Sequence, residues 1–266
     1  MALPQHAERF EHQGLSAWRI PANVPNAPKV VLVHGSLDRS ASFERCVRRL
    51  ADLEIIAYDR RGYGESPASA EPVGVEGHLK DLIAILELSG ARVAIGHSFG
   101  GVVTSLAALR EAQRLDAAGA FEPPQPWLEI PGSERPSKIQ PGNPGEEAER
   151  FFKRLIGVAA WDRMSERSRA LRRAEGVALV DELTSIRSQR WLDCPAPSIP
   201  VSFGYGLASS ERFQYYSRHL AAAWKSPLLM QLEHATHGAH IGSPDGFAKF
   251  IRSTVALSRE GVISNG

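Results

Sequence analysis

The stretch AIGHSFGG (Ala94–Gly101) lies between two apolar runs, Arg92–Ile95 and Val102–Leu109. The first run reads as a short buried strand and the second as a helix. Between them, Gly96-His97-Ser98-Phe99-Gly100 matches G-x-S-x-G. A serine hydroxyl that projects from a sharp strand-to-helix turn needs neighbours without clashing side chains. The N–H after the serine then faces any oxyanion formed there, and the helix N-terminus favours that charge. The five residues alone also describe an ordinary glycine-rich turn. The strand before them and the helix after them favour Ser98 as a nucleophile, with the Phe99 N–H as an oxyanion donor.

Working outward, KVVLVH (Lys29–His34), EIIAYD (Glu54–Asp59) and RVAIGH (Arg92–His97) are short, nearly continuous apolar runs. Such runs suit strands buried on both faces of a parallel sheet. Weaker versions occupy Asp116–Glu122, Ile199–Tyr205 and Pro227–His234. Helical patterns alternate with them: one opening at Ser40 as cap, one ending at Gly90, and others over Val102–Arg114, Ser210–Trp224 and Pro244–Leu257. The alternation predicts a doubly wound α/β fold. It breaks after Glu122 in a Pro/Gly-rich stretch. Further helical patterns follow, the first with Asn143 as cap and Pro144 in its first turn. Residues 123–197 therefore read as a mostly helical insertion between core segments 1–122 and 198–266.

A serine nucleophile needs a base, and the chain has nine histidines. His6 and His12 fall in the N-terminal arm, and His78 and His219 on helical patterns; all four read as solvated. His97 packs under the turn. The segment HATHGAHIGSPDGF follows the last strand and precedes the last helix, so it reaches the edge where strand C-termini gather. It offers His234, His237 and His240. Their threefold spacing lacks the acidic partner of an H-E-x-x-H pattern, so no metal is expected. The second oxyanion donor is expected at Ser36, whose N–H follows the strand-ending His34-Gly35.

Composition narrows the partners. A formal net charge of +1 over 266 residues suggests no nucleic-acid surface or polybasic anchor. Cys46 and Cys194 fit no disulfide or metal spacing and read as ordinary thiols. No apolar run approaches the roughly 18 residues of a membrane span, and MALPQHAERFEHQ shows no secretory signal. The expectation is a cytoplasmic protein acting on a small molecule without cofactor, nucleic acid or membrane; the oligomeric state is not legible.

The motifs HGS (His34–Ser36), DRRGYGES (Asp59–Ser66), GHSFGG (Gly96–Gly101) and THGAHIGSP (Thr236–Pro244) resemble, in this order, those of the α/β-hydrolase family. The resemblance spans nearly the whole chain. It implies an eight-stranded, mostly parallel sheet flanked by helices, with a helical cap inserted after the sixth strand. It implies Ser98 as nucleophile and His237 as base, since Pro244 then stands where the family's last helix begins. Thr236 replaces the glycine that usually precedes that histidine. Asp59 takes a structural place in the turn after the fourth strand.

The third triad member departs from the commonest pattern, an Asp shortly after the seventh strand. That stretch here, SFGYGLASSERF, has no Asp. Some family members carry the acid at the end of the sixth strand, where Glu122 stands, so Glu122 is the expected acid and Glu211 the alternative. Trp127, Phe151, Phe152 and Trp161 are candidate pocket residues from the cap.

What the resemblance implies is hydrolysis of an ester, thioester or lactone bond of a small, largely apolar substrate through an acyl-enzyme. Alternatives on the same constellation are hydrolysis of a C–C bond in a β-diketone-like acid, cofactor-free perhydrolase or haloperoxidase chemistry, and a non-catalytic ligand receptor. Haloalkane dehalogenase and epoxide hydrolase members place an Asp where Ser98 stands, which disfavours their chemistry.

Overall fold

The protein is described from a computed structural model, covering residues 7–130, 142–188 and 194–263. Eight strands form one sheet: β1 (Glu8–His12), β2 (Leu15–Ile20), β3 (Lys29–Val33), β4 (Glu54–Tyr58), β5 (Val93–His97), β6 (Ala117–Phe121), β7 (Val201–Gly206) and β8 (Leu229–Leu232). Their order is β1-β2-β4-β3-β5-β6-β7-β8. β1 and β2 pair antiparallel, β2 joins β4 antiparallel, and the rest are parallel. All six parallel strands fall on runs read as strands above.

The helices are α1 (Glu44–Val47), α2 (Gly74–Ser89), α3 (Phe99–Arg110), α4 (Pro144–Ile156), α5 (Val158–Asp162), α6 (Glu166–Ala174), α7 (Gly176–Ser185), α8 (Glu211–Ala223), α9 (Ala239–Gly242) and α10 (Pro244–Ile263). Helices α4 to α7 lie between β6 and β7. The Asn143 side chain accepts from the Gly145 N–H at 2.8 Å, capping α4 as its sequence suggests.

The alternation of β3 shows why parallel strands read as unbroken apolar runs. Val31 and Val33 join Leu82, Ile85, Val103 and Leu106 on one face of the sheet. Val30 and Leu32 join Phe247, Phe250 and Ile251 on the other. The four side chains from Val30 to Val33 are all buried because both faces are covered by helices. α3 goes further, with each residue from Phe99 to Ala108 buried.

Two elements differ from the sequence reading. The helix at Ser40 opens as a 3-10 turn, Ser40–Phe43, and Ser40 does not cap it. The Ser40 N–H and hydroxyl instead donate to Asp59 at 2.8 and 2.6 Å. Asp59 also accepts from the Glu65 N–H at 2.9 Å, so it holds the turn after β4. The β1–β2 hairpin was not visible as a pattern. Its two-residue turn, Gln13-Gly14, has positive φ at both positions, as hairpin geometry demands.

α7 binds the insertion to the sheet domain by capping a helix that lacks its own cap. α2 starts after Val73, which has no side-chain acceptor. Asp181 supplies one, accepting from the N–H groups of Val73 and Gly74 at 2.7 Å each.

Candidate active site

Strand register brings the key residues together. His97 of β5 is paired with Phe121 of β6, so Ser98 and Glu122 leave the sheet on the same rung. Both are non-glycine residues with positive φ, +54° and +49°. Such backbone costs roughly 1–3 kcal/mol each, and it persists where surrounding structure over-determines it. At Ser98 the determinants are visible. Its N–H donates to Phe121 O at 2.8 Å, and its carbonyl accepts from Gly101 N at 2.8 Å. A Cβ on Gly96 would stand 2.0 Å from Gly100 O, and one on Gly100 would stand 2.0 Å from Val33 O. The glycines of the motif are therefore demanded by backbone approach on both sides of the serine.

Glu122 is wholly buried. Its Oε1 accepts from the Gly206 N–H at 2.8 Å, and its Oε2 lies 2.6 Å from His237 Nδ1. A carboxylate only accepts, so Nδ1 carries the proton and Nε2 presents a lone pair. That Nε2 is buried and meets no hydrogen-bond partner among the described residues. The loop holding His237 crosses the end of β7, where a Cβ on Gly206 would meet Ala235 O at 2.1 Å. Gly206 thus provides both a donor to the acid and room for the loop. Glu211, the alternative acid, begins α8 with an exposed side chain.

The His237 ring stacks on Phe213 with centroids 3.9 Å apart and planes 15° apart. Phe213 and Ser98 line one cavity of about 280 Å³, together with Ser36, Phe99, Pro124, Pro126, Phe151 and further cap and α8 residues. Phe99 opens α3, so its N–H has no acceptor within the helix. Both expected oxyanion residues therefore face the same space as Ser98.

Of the four aromatics assigned to the pocket, the cavity is lined by Phe151. Phe152, the next residue on α4, points away and meets Trp161 at 5.4 Å. Trp161 is buried, with Lys153 and Arg173 against its ring. Trp127 packs on the main core cluster. Helical spacing marked these rings as buried without telling which face they would cover.

A buried ionic cluster under the Ser36 loop was missed. Arg60 is wholly buried and donates from Nε to His34 O at 2.8 Å and from Nη2 to Gly35 O at 2.9 Å. Its other nitrogen pairs with Glu182 of α7, also wholly buried. The second Glu182 oxygen accepts from the Ser36 hydroxyl at 2.6 Å. His78 lies 3.2 Å from Glu182, buried rather than solvated. Burial pushes the Glu182 carboxyl up, but Arg60 and His78 pull it down to about 2. Burial and the Arg60 charge hold His34 at about 4, so it stays neutral and accepts the Arg60 N–H at 2.8 Å. The second arginine of DRRGYGES belongs elsewhere: Arg61 pairs with Asp81 at 2.7 Å.

Behind His237 lies a second polar set. His97 donates from Nε2 to His237 O at 2.6 Å. Burial, then the charges of His240 and His237, hold His97 well below the ordinary imidazole range. His240 Nε2 lies 3.1 Å from Asp38, which also accepts from Ser42 at 2.9 Å. Asp38, His97 and His240 bring ligand-type atoms within 4.8 Å of one another, a group able to hold a metal ion. His234 and His237 are not part of it, so the threefold spacing in the sequence is not its basis.

Cys46 is buried and Cys194 exposed, both free, and burial pushes the Cys46 thiol up to about 12. Among the described residues no helix is long and apolar enough to cross a membrane.

Comparison with known proteins adds the lineage. The sequence profile described as "Alpha/beta hydrolase family" matches residues 30–250. Epoxide hydrolase A of Mycobacterium tuberculosis is 34% identical over 119 residues, 42% of this chain and 37% of that protein. Lipase LipV of the same organism is 36% identical over 93 residues, 34% of this chain and 35% of that protein. The chain thus matches a little over a third of the length of each of these relatives. Among solved structures, a bacterial membrane phospholipase A superposes with a TM-score of 0.74 at 15% identity, covering 95% of this chain and 86% of that one. At that identity the likeness speaks for the fold.

Proposed function

This chain belongs to the alpha/beta hydrolase family, and from that premise we propose that it is a serine hydrolase cleaving an ester, thioester or lactone bond. The observation that carries the reading is the Glu122–His237 pair beside a cavity lined by Ser98. Ser98 Oγ attacks the acyl carbon while its proton passes to His237 Nε2. The oxyanion takes hydrogen bonds from the Ser36 and Phe99 N–H groups. The intermediate collapses to an acyl-enzyme, and His237 returns the proton to the departing alcohol or thiol. Water then gives its proton to His237 and adds to the acyl carbon, releasing the acid and restoring Ser98. Glu122 fixes the imidazole tautomer and stabilises its charge when it is protonated. The Arg60–Glu182 cluster holds the Ser36 loop in place for the oxyanion. Epoxide opening of the family's kind calls for a carboxylate where this chain has Ser98.

A panel of p-nitrophenyl esters of increasing acyl length tests the proposal. The wild-type protein is expected to turn over the shorter members, and Ser98→Ala to lose roughly 10⁴-fold or more in kcat while keeping its far-UV dichroism. Retention of most activity in Ser98→Ala would remove the serine from the mechanism.

A further inference from the structure

We propose that the substrate carries an anionic group, a carboxylate or a phosphate, bound at the end of the cavity where α8 meets the cap. This deepens the serine-hydrolase reading and rests on it. Beyond Ser36 and Ser98, the polar walls of the cavity are Arg154, Arg187, Arg212, Tyr216 and Glu147. Glu147 is buried, and its carboxylate is shared between Arg150 at 2.9 Å and Arg154 at 3.4 Å. The one lining carboxylate is therefore already matched, partly by Arg150 from outside the lining, while three guanidiniums, those of Arg154, Arg187 and Arg212, stand on the same walls.

Two of these guanidiniums, Arg212 and Arg187, act on one hydroxyl. Arg212 and Tyr216 lie one turn apart on α8, with Arg212 Nη1 3.4 Å from the Tyr216 hydroxyl. Burial pushes the Tyr216 phenol up, while Arg212 and then Arg187 act in the opposite sense, so both charges bear on that hydroxyl. Arg187 and Arg212 make further contacts of their own. A guanidinium has five donors in a fork, so a second partner still leaves donors for a ligand. An all-apolar ligand would strip water from these groups and return nothing. An oxyanion would take charge-assisted hydrogen bonds from Arg212 and Tyr216, with Arg154 and Arg187 drawing it into the mouth.

Two kinetic arms locate the charge. In the acyl arm, the p-nitrophenyl hemiester of adipic acid is compared with p-nitrophenyl hexanoate. In the leaving-group arm, butyryl-coenzyme A is compared with butyryl-N-acetylcysteamine. The expected result is a preference for the anionic member of one pair, roughly 10- to 100-fold in kcat/KM. It should shrink as salt is raised and fall toward one in Arg212→Gln. Arg187→Gln, at an exposed position, is the companion variant should Arg212→Gln fold poorly. Ratios near one in both arms overturn the proposal, as does a preference that survives both substitutions. Turnover of the neutral esters in the same assays would leave the serine-hydrolase reading standing in that event; its absence would remove both.

Discussion

Two carboxylate–imidazole pairs sit side by side in this protein, Glu122–His237 at 2.6 Å and Asp38–His240 at 3.1 Å. Both imidazoles come from the segment between β8 and α10, His237 before the short helix α9 and His240 on it, and both keep one buried nitrogen without a partner among the described residues. Their surroundings differ. His237 lies against Phe213, a wall of the cavity that holds Ser98. His240 lies among Phe43 and Phe247, at 5.2 and 5.9 Å, under the sheet edge. The difference teaches that a paired imidazole is not in itself a catalytic one. On the reading proposed above, His237 rather than His240 is the base because it lies beside the Ser98 cavity, where a substrate has room. His97 joins the two pairs, touching the His240 ring at 4.3 Å and holding the His237 carbonyl. On this account the inner pair supports the outer one.

The largest expected effect breaks the two histidines apart. His237→Ala should lower kcat on a short p-nitrophenyl ester by roughly 10⁴-fold or more, since triad members act as a unit. His240→Ala should cost within about tenfold in kcat and show itself in thermal stability, as loss of a buried side chain. Equal losses in kcat at the two positions would erase the distinction.

The acids sharpen the same contrast more gently. Glu122→Gln keeps shape and removes charge, a change that in a Ser-His-Asp triad costs about 10⁴ in kcat. A loss of several orders of magnitude is expected, against less than about tenfold for Asp38→Asn. Asp38 should instead register in acid. Burial alone would raise its carboxyl, but His240 holds it well below the ordinary carboxylate range. Small losses at both acids would point to a Ser98–His237 dyad.

The clearest effect on stability is expected at Glu182. Removing one partner of a buried ion pair costs about 3–5 kcal/mol. Its folded carboxyl sits at about 2 against an ordinary 4.5. Its contribution is therefore complete above about pH 4.5 and lost as pH falls toward 2. Denaturation measured across pH should show Glu182→Gln well below the wild type at neutrality, with the gap closing in acid. A gap that stays constant down to pH 2 would mean that the charge of Glu182 is not what stabilises.

How legible these features were in the sequence follows from how local they are. The Ser98 corner could be read directly, because Gly96 and Gly100 answer to backbone only a few residues away or on the next strand. The six parallel strands declared themselves through burial on both faces. The Glu122–His237 pair joins positions 115 apart, and only the fold implied by the motif order could bring them to one edge. Arg60 and Glu182 stand 122 apart, with no motif to announce Glu182. Thus His78 read as a solvated helical residue and the cluster under Ser36 stayed hidden. The cap aromatics failed for a different reason. α4 turns Phe151 to the cavity and Phe152 to Trp161, and adjacent positions in sequence do not reveal which face meets the sheet.

The central claim is that Ser98 is the reactive nucleophile and that His237 activates it. Its most direct test is the rate and site of labelling by a fluorophosphonate, which loses fluoride as the serine oxygen bonds to phosphorus. Intact mass and peptide mapping should show one adduct, on Ser98, with labelling slowed by orders of magnitude in His237→Ala and little changed in His240→Ala. No adduct, an adduct on another residue, or equal labelling rates in wild type and His237→Ala would contradict it.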